Sequence, residues 1–294
     1  MDYEIHIKRT IDYIEENLHE DISLENLAEI ACFSPYHFHR IFQALVGESV
    51  MEYVRKRRLT YAAERLYYSN EKVLDIAIEV GFQYQVSFNR SFKKVFGVSP
   101  VQYRNAKSLS GPLRGKAYLH PKQLTGGSTM ELKFVTKPAF HIIGYELKTK
   151  TEDGQNNKDI PVFWQHYIQN DLGSKIPGPI KKYEELGICS DFCSETGEFV
   201  YVIGKEVANG AEAPEGMSYR SYPEQEYAVF TTPKATDETF SSAIQSTWQH
   251  IFAEWFPHSD YEYSGVVDFE LYDERCFGAE KVMDIYIPVK KKNA

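Results

Sequence analysis

The sequence predicts two parts of different fold class. The first is an all-helical N-terminal domain with two helix-turn-helix units, and the second is an α+β C-terminal domain. The sheet of the second is antiparallel and built from two strand-helix-strand-strand halves. Three observations predict this: an aromatic motif that returns fifty residues downstream within the first hundred, a Trp-Gln-His triplet that returns in the second half, and a change in the sign of charge between the two. A chain of 294 residues with 43% hydrophobic content is long enough to bury two separate cores. The boundaries are expected at 1–108 for the helical domain, 109–129 for a linker and 130–294 for the sheet domain.

The first helix-turn-helix copy begins where Ser23 caps a helix carrying Leu24, Leu27, Ala28 and Ala31 at helical spacing. Cys32-Phe33-Ser34 forms the turn. Ser34 is the next N-cap and Pro35 takes the first helical position, where its missing N–H costs nothing. That second helix runs to Val46 and stops at Gly47. Its apolar stripe is Phe38, Ile41, Phe42 and Leu45, which leaves Tyr36, His39, Arg40 and Gln43 on the other side.

The second copy repeats the skeleton. Phe38-His39-Arg40-Ile41-Phe42 with Gly47, Ser49 and Tyr53 becomes Phe88-Asn89-Arg90-Ser91-Phe92 with Gly97, Ser99 and Tyr103. Phe88, Phe92, Val95 and Phe96 make the core side. Val86, Asn89, Arg90 and Lys93 fall on the exposed face, with Gln85 and Ser87 near the helix start. Arginine favours guanine, Asn or Gln favours adenine, and an aliphatic side chain such as Val86 meets a thymine methyl, so both faces suit the edges of bases in a major groove. Any solvated helix face is also polar; the recurrence of the same face in the same context favours duplex DNA.

Between the copies, residues 51–68 read as one uninterrupted helix about 27 Å long at 1.5 Å per residue. That length places two recognition helices in successive major grooves, which lie about 34 Å apart, so one chain suffices to read two half-sites. The run Arg55-Lys56-Arg57-Arg58 suits phosphate contacts, with Arg55 and Arg57 the candidates; packing between the two units is the other reading of the same run.

The formal net charge of −9 by itself argues against a polyanionic partner, yet the average conceals a split. Residues 30–129 hold 15 Lys and Arg against 6 Asp and Glu, whereas residues 130–294 hold 16 against 27. Only the first part is suited to phosphates. The linker, 109–129, has basic residues, Gly, Ser and Pro, and no apolar period.

In the second domain, strand patterns at 131–135 and 140–148 precede a helix around 160–172. A further strand at 226–232 precedes the second helix, and strands at 266–272 and 282–289 follow it. Trp164-Gln165-His166 and Trp248-Gln249-His250 mark equivalent helices. No catalytic residue and no cofactor are expected, since the sequence has no nucleophile elbow, phosphate loop or metal motif. Cys32, Cys189, Cys193 and Cys276 are too scattered for a disulfide framework or a zinc site. With no membrane-length apolar run and no signal-peptide pattern at the start, the expected location is the cytoplasm.

The second copy, Ile76-Ala77, Gly81-Phe82, Phe88-x-Arg90-x-Phe92-Lys93 and Gly97-Val98-Ser99-Pro100-x-x-Tyr103-Arg104, resembles the AraC/XylS regulator signature. The likeness covers residues 6–105. It implies a promoter-binding transcription regulator in which Tyr36, His39 and Arg40, then Gln85, Ser87 and Arg90, contact bases, with RNA polymerase as an expected partner. The domain order is that of the Rob-like minority.

Phe269-Glu270-Leu271-Tyr272 through Asp284-Ile285-Tyr286-Ile287-Pro288-Val289 resembles the GyrI-like effector-binding domain. That likeness implies an aromatic-lined pocket for a small-molecule effector, aromatic or cationic, with Glu270 and Tyr286 as ligand residues and Tyr145 and Trp164 as further wall candidates. Three readings stand beside it. Glu270 and the abundant aromatics also suit a plain solvated strand and sheet packing, a pocket glutamate suits hydrolysis of an electrophilic small molecule, and an acidic surface suits a protein-interaction platform.

Overall fold

The repeated skeleton has a local task at every position. In the computed structural model, which describes residues 3–119, 130–151, 154–193 and 195–292, it builds the same corner twice. α1 (Tyr3–Glu16), α2 (Leu24–Ile30) and α3 (Pro35–Val46) form the first copy, and α4 (Val50–Tyr68) leads to α5 (Val73–Glu79), α6 (Gln85–Phe96) and α7 (Pro100–Ala106). Gly47 and Gly97 end α3 and α6 in the left-handed region, at φ 87° and 77°, where a side chain would be strained. Ser49 and Ser99 then accept from the backbone N–H three residues on and start α4 and α7. Tyr53 and Tyr103 drop back onto the preceding helix, with ring centroids 5.8 Å from Phe42 and 5.4 Å from Phe92. Ser23 and Ser34 cap α2 and α3 as their positions require.

The chain forms two compact units, Asp2–His120 and Pro121–Ala294. Residues 109–117, expected to be linker, lie along the helical unit. Tyr103 Oη donates to the Ser110 carbonyl at 2.9 Å, Thr60 Oγ1 accepts from Arg114 N at 2.9 Å, and Ala117 N donates to Tyr53 Oη at 3.1 Å. Arg114 reaches Glu48 at 2.7 Å and Lys116 reaches Asp12 at 2.6 Å. Residues 120–129 of the expected linker lie outside the described residues.

The second unit is one antiparallel sheet with helices on one face. Its strands are β1 (Leu132–Lys137), β2 (Phe140–Lys150), β3 (Glu185–Ser190), β4 (Glu198–Val207), β5 (Ser218–Tyr222), β6 (Gln225–Thr231), β7 (Tyr261–Tyr263), β8 (Phe269–Tyr272) and β9 (Asp284–Lys291). The order is β1-β6-β9-β8-β3-β4-β2-β5, with β7 also on β9. Read outward from the centre, β8 and β3, β9 and β4, β6 and β2, and β1 and β5 are equivalent. The two halves are therefore β2-α8-β3-β4 and β6-α9-β8-β9, where α8 is Asn156–Gln169 and α9 is Phe240–His250, continued through a π turn at Ile251–Trp255. Each half lends an edge strand to the other: β1 pairs with β6, and β5 with β2.

The face away from the helices packs Phe140, Ile142, Leu186, Ile188, Tyr227 and Phe269. Phe140 and Phe269 lie on strands separated by two others, nominally about 14 Å apart in a flat sheet. Their rings are 5.5 Å apart, so the sheet curls around this core.

Candidate DNA interface and ligand site

On α3, Phe38, Ile41 and Phe42 are fully buried and Leu45 is half-buried. Tyr36, Arg40 and Gln43 lie opposite that stripe, and Arg40 Nε donates to Tyr36 Oη at 3.1 Å with its guanidinium over the Tyr36 ring. His39 departs from expectation. At about 100° per residue it falls on the flank of the stripe rather than opposite it, and it is only 4% exposed. Burial first, then the Arg40 charge, lowers its pKa to about 3 against a hydrogen bond with Gln43, so the ring is neutral. His37, buried beside Tyr3, is lowered to about 3 by burial as well.

α6 presents Val86, Arg90 and Lys93 as expected, whereas Asn89, the repeat equivalent of His39, falls on the flank of the buried stripe. Phe88 and Phe92 are buried, Val86, Ser87, Arg90 and Lys93 are exposed, and Gln85 and Asn89 are half-buried. Val86 is 79% exposed, an aliphatic side chain held in solvent by a helix whose core side is fully satisfied.

The basic run of α4 divides its tasks. Arg57, expected on phosphate, is instead paired with Glu15 of α1. Its Nε and a terminal nitrogen bond both carboxylate oxygens at 2.6–3.0 Å, and its other terminal nitrogen donates to the Arg114 carbonyl. The pair is only 17% and 14% exposed. Burial opposes the Glu15 charge, but hydrogen bonds from Arg57 and Tyr53 outweigh it and hold the carboxyl below its ordinary range. Arg58 donates to the Leu18 carbonyl, and Lys56 pairs with Glu48 and Glu52. Arg55 is half-buried on the same helix.

In the second unit, one cross-strand row runs through six strands: Tyr145, Ile203 and Gly187 on one side of the centre, Glu270, Ile285 and Phe230 on the other. This row faces the helices. Glu270 is surrounded by donors: Trp248 Nε1 gives to Oε1 at 2.9 Å, and Tyr201 Oη and Tyr272 Oη give to Oε2 at 3.0 and 2.9 Å. Trp164 Nε1 donates to Tyr201 Oη at 3.0 Å, and its ring lies 4.4 Å from that of Tyr272. Tyr145 and Trp164 both border Tyr167, at 6.1 and 5.7 Å. Burial, then the Glu270 charge, pushes the Tyr201 and Tyr272 phenols well above the tyrosine range, so both remain donors. Among the described residues no cationic side chain pairs with Glu270.

Tyr286 is not part of this cluster. The register sets it opposite Phe269, while Glu270 faces Ile285, so Tyr286 points to the other side of the sheet and stacks on Phe269 at 4.4 Å. Adjacent positions on a strand take opposite faces, and the register alone decides which neighbour shares one. Sequence reasoning missed Tyr201, Tyr272 and Trp248 as partners of Glu270. The recurring Trp-Gln-His signalled Trp248, and period two along β8 places Tyr272 on the face of Glu270; Tyr201 had no local signal.

Among the described residues, no helix is long and apolar enough to cross a membrane, and no group of three or more His, Cys, Asp or Glu is placed to hold a metal ion.

Residues 133–289 match the family described as integron-associated effector binding protein, and residues 27–106 match a helix-turn-helix domain family. The HTH-type transcriptional regulator YbfP of Bacillus subtilis is 41% identical over 122 residues, 42% of this chain and 41% of YbfP. This chain thus aligns with less than half of YbfP. The multiple antibiotic resistance protein MarA of Escherichia coli is 38% identical over 117 residues, 40% of this chain and 89% of MarA. The solved structure of SAV2435 bound to tetraphenylphosphonium covers 55% of this chain and 94% of its own, with a TM-score of 0.46 and 20% identity. The chain belongs to the AraC-type DNA-binding transcription regulators, with a C-terminal domain of the GyrI-like, integron-associated effector-binding family.

Proposed function

We propose that the C-terminal domain binds an aromatic cation over Glu270 and that occupancy changes how the helical domain binds promoter DNA. One observation carries the reading. The Glu270 carboxylate stands among Tyr201, Tyr272, Trp164 and Trp248, its hydrogen-bond positions served by neutral donors and, among the described residues, no cationic side chain paired with it. A flat cation gains Coulomb attraction from the carboxylate and about 0.5–2 kcal/mol from each desolvated ring it covers.

The test titrates the full chain with crystal violet and with its neutral leuco form. The cation should bind more tightly, and Glu270→Gln should weaken it about ten- to a hundredfold while changing the leuco form little. Equal affinities in the parent would remove the carboxylate from the reading. The regulatory half is tested on a duplex selected from a random pool, since saturating crystal violet should shift its affinity and the duplex should shift that of the dye by the same factor.

On the DNA side, the reading set is Tyr36, Arg40 and Gln43 from α3 and Val86, Ser87, Arg90 and Lys93 from α6, supported by their position away from the buried stripes, with Gln85 and Asn89 at the half-buried edge of α6. His39 belongs to it only through the family resemblance. Arg40→Ala should relax base preference by about 1–3 kcal/mol at one position; an unchanged selected sequence would exclude Arg40.

A further inference from the structure

We propose that Gly187 is a positioning residue of the ligand site: lacking a side chain, it admits the Tyr201 hydroxyl to Glu270, so that a site built on two equivalent halves carries one carboxylate. The inference rests on the reading of Glu270 as the ligand anchor.

The two-fold relation between the halves makes the argument. Gly187 and Glu270 face each other across the central β3–β8 pair, and each continues into an equivalent row, Gly187 to Ile203 to Tyr145 and Glu270 to Ile285 to Phe230. Gly187 thus occupies in one half the place that Glu270 occupies in the other. The helices are equivalent too, and each presents a tryptophan from the same triplet. Trp248 donates directly to Glu270, whereas Trp164 donates to Tyr201 Oη. The Tyr201 hydroxyl therefore accepts the indole N–H on the half without a carboxylate, and donates its own hydrogen bond to Glu270 Oε2. The chain Trp164–Tyr201–Glu270–Trp248 joins both helices through one charge.

This arrangement needs the gap at Gly187. A Cβ there would stand 2.2 Å from Tyr201 Oη, 3.0 Å from its Cζ and 3.3 Å from Glu270 Oε2. The first distance is impossible and the second is at the edge of contact, so it is the hydroxyl that excludes a side chain. The Gly187 backbone is itself unstrained for other residues, because it is not among the positive-φ glycines.

The experiment is a double-mutant cycle in the full chain with Gly187→Ala, Tyr201→Phe and both. Gly187→Ala should lower the urea midpoint of the parent clearly more than that of Tyr201→Phe, where the overlapping oxygen is gone. Additive shifts overturn the proposal, and this arm needs no ligand. The second arm measures crystal violet against its leuco form. Either single substitution frees Glu270 of a neutral donor that competes with a cation, so the preference for the cation should rise about tenfold, and the double variant should match the singles. A role confined to packing would move both dyes together and leave the ratio unchanged, which overturns the proposal. A parent that does not distinguish the dyes refutes the cation site, and the midpoints alone then judge Gly187.

Discussion

Arg55 and Arg57 stand two residues apart on α4, and substitution separates the packing and phosphate readings of their run. Removing Arg57 leaves Glu15 buried without its cation, so Arg57→Ala should cost about 2–3 kcal/mol of stability in urea denaturation. Arg55→Ala should weaken binding to unrelated duplexes alike, with the slope of log affinity against log salt smaller by about one; a change confined to one sequence would make Arg55 a base reader. In the second unit, Trp164 and Tyr286 are the informative pair, because the sequence nominates both for the ligand and the sheet separates them. Trp164→Leu removes a wall and should lower crystal violet affinity about three- to thirtyfold. Tyr286→Leu, on the opposite face, should leave that affinity unchanged; a loss equal to that of Trp164→Leu would place the ligand on the wrong side of the sheet here.

At the scale of elements, what the sequence discloses is what has a local cause. Both helix-turn-helix corners were legible because Gly, Ser and Tyr recur at offsets where each residue acts on its own helix end: a left-handed stop, a cap and a ring folded back onto the preceding turn. The order of strands and helices was legible from period and from the tryptophan triplet. The fate of Arg57 and Tyr286 was not, since each depends on a partner that the chain brings from elsewhere, Glu15 at a separation of 42 residues and the β8–β9 register. The segment 109–117 was opaque for a related reason: it has no period, and its structure comes from the side chains of α1, α4 and α7 that receive it. A fragment ending at 119 should therefore melt several degrees above one ending at 108, and the two should differ in affinity for a selected duplex. Identical melting curves would show that the segment only rests on the surface.

At the scale of the molecule, acid should weaken the fold through groups buried uncharged or held ionised. His37 and His39 have folded pKa values of about 3, below the unfolded value near 6.5, so the unfolded chain takes up protons first as pH falls. Their contribution is complete above about pH 6.5 and is lost progressively toward pH 3, and the lowered Glu15 acts in the same direction at the acid end. The unfolding free energy of the helical unit, followed by urea denaturation of the full chain, should fall between pH 7 and pH 5 by roughly 1–2 kcal/mol for each buried imidazole, and His37→Gln should flatten the profile; a stability independent of pH over that range would show both rings to be solvated. The two repeat tyrosines carry a different consequence, one of timing. Tyr53 and Tyr103, one from each repeat, hold the same stretch of chain, and Lys116 closes onto Asp12 across 104 residues. Domains emerge from the ribosome N-terminal end first, so α1 can settle on α2 and α3 early, whereas its contact through Asp12 has to wait until both repeats are complete and residue 116 has cleared the exit tunnel.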